Sequence, residues 1–318
     1  MEFGIRQAIL QAVLEEMEVD DRVCILGEGA KNKVAYDYPP LFEKFRDRLY
    51  NMPIAEAGIV GVALGAALAG LRPIVDLNFF DLILRAMDEV FNQAAQAKYV
   101  SNGQNDFTLI IKTDIPPPHC AQTGRRLESL CIYSPFVKVA IPSTPSDAKG
   151  LMKAALKSRD VTLIIEERAI RLKEKLPESD HVIPFGEAKI VRKGHDLSII
   201  TYGIGVGLAL DIAGYFANKG MELEVVDLRT LAPIDRAVLS ETSKKTGKVL
   251  IIDFSGGAVA ASICSMIIED SMYYLKAPPI TLATKCIPIP ASKAVRTRIF
   301  PTFQDGVDAV YKLLSFKV

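Results

Sequence analysis

The chain has 318 residues, enough for two domains of common size that each bury a core. Its 38 basic and 38 acidic residues cancel, and a composition 49% hydrophobic and 24% charged is ordinary for a water-soluble protein. The balance excludes the basic signature of a nucleic-acid binder, so neither nucleic acid nor a membrane is expected as a partner. Cys24, Cys120, Cys131, Cys264 and Cys286 are scattered without a CxxC pair or a regular framework, which fits a reducing cytoplasmic location.

Residues 1–21 read as an amphipathic acidic helix without the basic and apolar order of a signal peptide. An apolar strand at 23–27 is followed by a helix over 52–70. The near-apolar run within it, 57–71, holds four glycines and is too short to span a bilayer, so it is read as a buried helix. Strands at 73–77, 107–112, 137–142 and 161–167 alternate with helices at 82–99 and 146–157, the second capped by the polar pair Ser146 and Asp147. Residues 168–186 mix charges, prolines and glycine without period and mark a boundary, giving domains at 1–180 and 187–318. Beyond it come strands at 197–203, 223–230, 248–254 and 279–285, with helices ending at Gly220 and starting at Pro233, Gly257 and Phe303. The fold class is therefore α/β, two α/β domains with mostly parallel sheets.

Several motifs carry two readings. Gly203, Gly205 and Gly207 lie at a strand-to-helix turn with Asp227 about twenty residues on, as in a dinucleotide site, but the spacing is GxGxG and a tight turn alone explains it. No GxxxxGK[ST] occurs, which excludes a P-loop. The stretch DIPPPHCAQTGRRLES, residues 114–129, offers His119 and Cys120 as metal ligands or a nucleophile pair. A metal needs three or four ligands, and His181 and His195 lie in the boundary and in a turn, so no metal site is expected. Adjacent residues on an extended loop point apart and cannot form a Cys-His pair. Arg125 and Arg126 read either as a solvated pair or as a clamp for a carboxylate or phosphate on a substrate or acyl carrier.

Glu56 is the most informative residue. Pro53 starts a helix, Glu56 falls in its first turn, and the four turns after it are almost entirely Gly, Ala, Val, Leu and Ile. An acid in a first turn complements the helix dipole, which is a purely structural role. The functional reading is a carboxylate at the edge of a buried small-residue helix, able to exchange a proton with a protonated heterocycle or to hydrogen-bond it.

At these residues the sequence resembles the β subunit of the decarboxylating component of 2-oxo-acid dehydrogenase complexes, among the transketolase-like thiamine diphosphate enzymes. The matching pieces are LGEGA (26–30), MPIAEAGIVGVALGAALAGLRPIVD (52–76), AMDEVFNQAAQAKYVSNG (86–103), VKVAIPSTPSDAKGLMKAAL (137–156), IPFGEAKIVRKGHDLSIITYG (183–203), VVDLRTLAPID (225–235) and APPITLATKCIPIPASK (277–293). They cover nearly the whole chain in order.

The resemblance implies an N-terminal pyrimidine-binding domain and a C-terminal transketolase-type domain, in a cytoplasmic enzyme that decarboxylates a 2-oxo acid. The acyl unit would pass to a lipoyl-bearing acyltransferase. It places Glu56 at N1′ of the thiamine diphosphate aminopyrimidine, with Glu28, Phe80 and Leu82 around the cofactor. Mg²⁺ and the diphosphate would be held by a separate α subunit carrying a GDG motif, which this chain lacks, in an α₂β₂ heterotetramer.

Two positions depart from the family pattern. Leu82 stands where an aromatic residue packs on the aminopyrimidine, although Phe79 and Phe80 lie close by. Thr123 stands where a histidine assists acyl handover, and His119 is the nearest substitute. These departures admit two alternatives: a split transketolase or carboligase delivering a two-carbon unit to an aldehyde or a carrier protein, and a partner subunit that no longer catalyses. Retention of Glu56 in its PIAEAG context favours an enzyme.

Overall fold

The computed structural model describes residues 2–118, 120–178 and 180–316. They form two compact units, Met1–Pro117 with Leu130–Phe185, and Pro118–Ser129 with Gly186–Val318. A linear division at 180 and 187 has no place for this exchange, in which a short loop from the first half of the sequence joins the second unit.

In the first unit, parallel strands run side by side in the order Val137–Ala140, Val161–Glu167, Leu109–Ile115, Arg72–Phe79, Val23–Glu28 and Leu49–Met52. Apart from the edge strand Leu49–Met52, their residues are mostly apolar and buried, as expected of a parallel sheet covered on both faces. Helices Ile5–Met17 and Pro145–Lys157 pack against each other over one face. The second of these helices is capped by Thr144, whose Oγ1 accepts from the Asp147 amide at 3.1 Å, so the cap precedes the Ser146 and Asp147 pair expected from the sequence.

The helix expected over 82–99 is three pieces: a 3₁₀ segment Phe80–Ala86, a π segment Asp88–Ala94 and a short α-helix Ala95–Val100. The reason lies in the spacing of the apolar residues. Phe80, Ile83 and Ala86 are fully buried and three apart, and the 3₁₀ backbone aligns them in one row where an α-helix would spread them over about 120°. Strand Leu49–Met52 and helices Ala30–Asp37 and Pro39–Phe45, only partly buried, carry no apolar run that announces them.

In the second unit, Ile280–Ala283, Val249–Asp253, Leu197–Thr201 and Leu223–Asp227 are parallel neighbours in that order, and Lys189–Arg192 adds an antiparallel edge. Helices Gly205–Ala217 and Phe303–Ser315 close a core containing Ile199, Ile212, Phe216, Leu250 and Val310. The glycines of the strand-to-helix turn are structural. Gly203 has φ +53°, and a Cβ on Gly205 would lie 2.0 Å from Thr201 Oγ1. Asp227 is fully buried and accepts from the Arg229 amide at 2.9 Å, so it is not a ribose-binding acid at an open cleft.

Candidate active site

The carboxyl ends of parallel strands are where α/β sheets place ligands. In the first unit Glu28 ends its strand, in register with Met52 at the end of the neighbouring strand. Four residues after Met52 the chain enters helix Glu56–Leu68 with Glu56 as its first residue. Glu56 is 7% exposed, and among the described residues its carboxylate has no hydrogen-bond or ion-pair partner. The residue is largely covered while its carboxylate oxygens keep solvent contact and make no bond among the described residues, so the group is placed to meet one from outside the described chain.

The helix packs on the Phe80–Ala86 segment that follows strand Arg72–Phe79. Phe80 is fully buried in the core, whereas Leu82 is half-buried and keeps accessible apolar surface. The ring of half-buried Phe79 lies under the Arg168 guanidinium at 5.3 Å. Glu28 is held by Asn78, whose Nδ2 donates to Oε2 at 3.2 Å. Asn78 itself sits at φ +62° and accepts from Lys33.

Beneath these residues runs a charge network that sequence reasoning missed. Lys112 Nζ lies 3.2 Å from Asp76 and 3.9 Å from Glu166. Arg6 bonds Glu166 at 3.0 Å and Asp114 at 2.9 Å, and Arg168 bonds Asp114 at 2.7 Å. Burial alone would raise the Asp76 carboxyl, but the Lys112 and Lys33 ammonium groups outweigh it and hold the group below its ordinary range. Burial would likewise lower Lys112, yet Asp76 and Glu166 leave it above its ordinary value. The sequence shows only that the apolar runs PIVD, LIIK and IIEE each meet a charge, not which of these charges pair. Fixed charges in the carboxyl halves of three adjacent strands brace the floor of the site.

The remaining candidates fall in the second unit. Thr123 is half-buried in a tight turn where its amide donates to Cys120 O at 3.3 Å and its Oγ1 lies 3.5 Å from Cys120 Sγ. His119 lies outside the described residues. Arg126 is salt-bridged at 3.0 Å to Glu128, which is wholly buried, and Arg126 packs 5.5 Å from the Phe254 ring centroid. Arg125 and Arg126 line a cavity described below. Among the described residues, no group of three or more His, Cys, Asp and Glu could hold a metal ion.

This arrangement can be set beside known proteins. Residues 2–171 match the transketolase pyrimidine-binding domain and residues 186–305 the transketolase C-terminal domain. The 2-oxoisovalerate dehydrogenase subunit beta of Bacillus subtilis is 38% identical over 319 residues, covering 97% of each chain. The chain belongs to the 2-oxo-acid dehydrogenase β-subunit family. Another member of this β-subunit family, the pyruvate dehydrogenase E1 component subunit beta of Rickettsia conorii, is 34% identical over the full length of both chains. The acetoin:2,6-dichlorophenolindophenol oxidoreductase subunit beta of Cupriavidus necator is also 34% identical, covering 98% of this chain and 97% of its own. Among solved structures, a split-gene transketolase in an inactive beta4 tetramer covers both chains completely with a TM-score of 0.82 at 22% identity, a likeness of fold. As a β subunit of this family, the chain carries two transketolase-type α/β domains, and no helix among the described residues is long and apolar enough to cross a membrane.

Proposed function

We propose that this β subunit is the cofactor-activating half of a thiamine-diphosphate enzyme that decarboxylates a 2-oxo acid. The observation that carries the reading is the unpartnered carboxylate of the largely covered Glu56 at the head of a small-residue helix. The residues present fit the aminopyrimidine. Glu56 is an unpartnered carboxylate suited to hold a proton at N1′, and Leu82 is a half-buried aliphatic surface for a ring face. Glu28, fixed by Asn78, is a second acid at the adjoining strand end. When bound, thiamine diphosphate supplies a nucleophilic thiazolium carbon and the electron sink that decarboxylation needs.

The diphosphate and Mg²⁺ are assigned to an α-type partner, because the chain has no GDG motif and no acidic metal cluster among its described residues. The α₂β₂ assembly is supported by the outer face of helix Glu56–Leu68. Gly61, Gly65 and Val62 are exposed there, and a Cβ on either glycine would meet nothing within 4 Å. Ile54, 75% exposed, extends the same apolar surface.

The acyl acceptor is proposed to be a lipoyl-bearing acyltransferase. Thr123 favours a second reading. A threonine hydroxyl can orient a group by hydrogen bonding but does not titrate near neutrality as an imidazole does, which suits transfer to an aldehyde or carrier protein, as in a split transketolase or carboligase. Arg125 and Arg126 are assigned to an anionic group of the substrate or carrier.

The test is 2-oxo-acid-dependent reduction of an artificial electron acceptor by the chain assembled with its α-type partner and thiamine diphosphate. Turnover with pyruvate or a branched 2-oxo acid, lost in Glu56→Gln, supports the reading. Inactivity of the wild-type assembly on every 2-oxo acid, alongside ketol formation from a sugar phosphate, replaces it with the carboligase reading.

A further inference from the structure

The second unit contains a cavity of about 330 Å³ at the carboxyl ends of its neighbouring strands Val249–Asp253 and Ile280–Ala283. Both walls are fixed. On one side, Asp253 is fully buried and accepts from the Tyr202 hydroxyl at 2.8 Å, from the Ser255 amide and hydroxyl at 2.6 Å each, and from the Gly257 and Ala260 amides at 3.1 and 3.0 Å. On the other, the loop after Ala283 is pinned by Thr284 N to Asp253 O at 3.0 Å and Lys285 N to Ile299 O at 2.9 Å. Phe254 and Phe300 stack at 6.4 Å with an interplanar angle of 25°, and Ile287 and Ile289 complete an apolar body.

The polar part of the lining is one-signed. Arg125, Arg126 and Lys285 line the cavity and, among the described residues, no acidic side chain does; Glu128, which balances Arg126, is wholly buried and not part of the lining. Preformed concave sites with apolar walls and a few convergent polar groups are the usual form of small-molecule sites, and this volume is at the small end of their range.

We propose that this cavity binds a small amphipathic monoanion, a carboxylate on an aliphatic or aromatic body, at a site of its own in the second unit. The carboxylate meets Arg125 and Lys285, and the body lies between the Phe254 and Phe300 rings and the isoleucines. This rests on reading Arg125 and Arg126 as anion-binding residues and is independent of cofactor activation at Glu56. Inorganic phosphate does not satisfy such a site, because it offers nothing to the apolar walls. A neutral isostere fails for the opposite reason, since it gives up the charge-assisted hydrogen bonds.

The test is calorimetric titration of the full 318-residue chain with 4-phenylbutyrate, its neutral analogue 4-phenylbutanamide, and inorganic phosphate. Saturable 1:1 binding of 4-phenylbutyrate is expected, with the amide and phosphate each weaker by about tenfold or more. Arg125→Gln and Lys285→Gln should each weaken 4-phenylbutyrate by about fivefold or more while leaving Tm unchanged. Lys285 is exposed, so its variant folds even if a change at Arg125 disturbs the loop. No saturable binding of 4-phenylbutyrate overturns the proposal. So does equal binding of the amide, phosphate as tight as the acid, or wild-type affinity in the double variant. Because the readout is binding to this chain, its failure leaves turnover of the assembled enzyme intact and is distinguishable from failure of the cofactor reading.

Discussion

Replacing Glu56 with glutamine should leave the stability of the chain nearly unchanged while destroying its activity. Glutamine keeps the size and removes the charge. What is lost is the favourable interaction of a first-turn acid with the helix dipole, about 0.3–1 kcal/mol. What is recovered is partial desolvation only, because the residue is 7% exposed but its carboxylate oxygens keep solvent contact. The two are of similar size, so the net change is within about 1 kcal/mol and Tm should move by no more than about 2–4 °C. Scanning calorimetry on the chain without cofactor measures this. In the same variant, assembled with its partner, 2-oxo-acid turnover should fall by about 10²–10⁴-fold, since the proton held at the pyrimidine is lost. A fall in Tm beyond this range with turnover retained would refute the reasoning, because it would show that the carboxylate serves the fold and not the chemistry.

Three further outcomes follow from the same geometry. Lys112→Met leaves Asp76 without its ion-pair partner, while Glu166 keeps Arg6, and should cost about 3–5 kcal/mol in urea unfolding at neutral pH. With Asp76 held low and Lys112 held high, the pair's contribution is complete between the ordinary carboxyl and lysine values of about 4 and 10.4. It is lost as pH falls through the depressed value of Asp76 or rises through the elevated value of Lys112, so the deficit of Lys112→Met should shrink at both extremes; a deficit constant with pH would count against the network. Thr123→His should fold normally, its side chain being half-buried in a turn, and a gain of acyl transfer to lipoamide would identify the missing imidazole as the block. Gly65→Leu projects into open space inside a helix, so it should raise the Tm of the isolated chain by a few degrees at most while weakening assembly by sedimentation velocity; unchanged assembly would remove this helix face from the interface.

The sequence was most legible where apolar period and length agree. Strands such as Val23–Glu28 and Val161–Glu167 are continuous buried runs bounded by polar residues, and the helix at Glu56–Leu68 was recognisable by its small residues. The segment after Phe79 misled because a helix-length apolar pattern does not distinguish a 3.6 from a 3.0 repeat over two turns, and the buried spacing of Phe80, Ile83 and Ala86 decided it. Leu49–Met52 was hidden because two of its four residues are exposed at a sheet edge. Of the site, Glu56 could be picked out from its context. The network of Asp76, Lys112, Glu166 and Arg6 could not, because it is assembled from residues up to 160 positions apart and only the register of parallel strands brings them together. The union of Pro118–Ser129 with the second unit was equally invisible, since nothing local to that loop says which core it joins.

The central claim, that this chain activates thiamine diphosphate through Glu56, is tested most directly by exchange of the cofactor's C2 proton with deuterium, followed by NMR after rapid quench. The wild-type chain with its α-type partner should accelerate exchange over free cofactor by orders of magnitude, and Glu56→Gln should return it close to the free rate. Exchange at the free-cofactor rate in a wild-type assembly that demonstrably binds thiamine diphosphate would contradict the account and leave the chain a structural partner only.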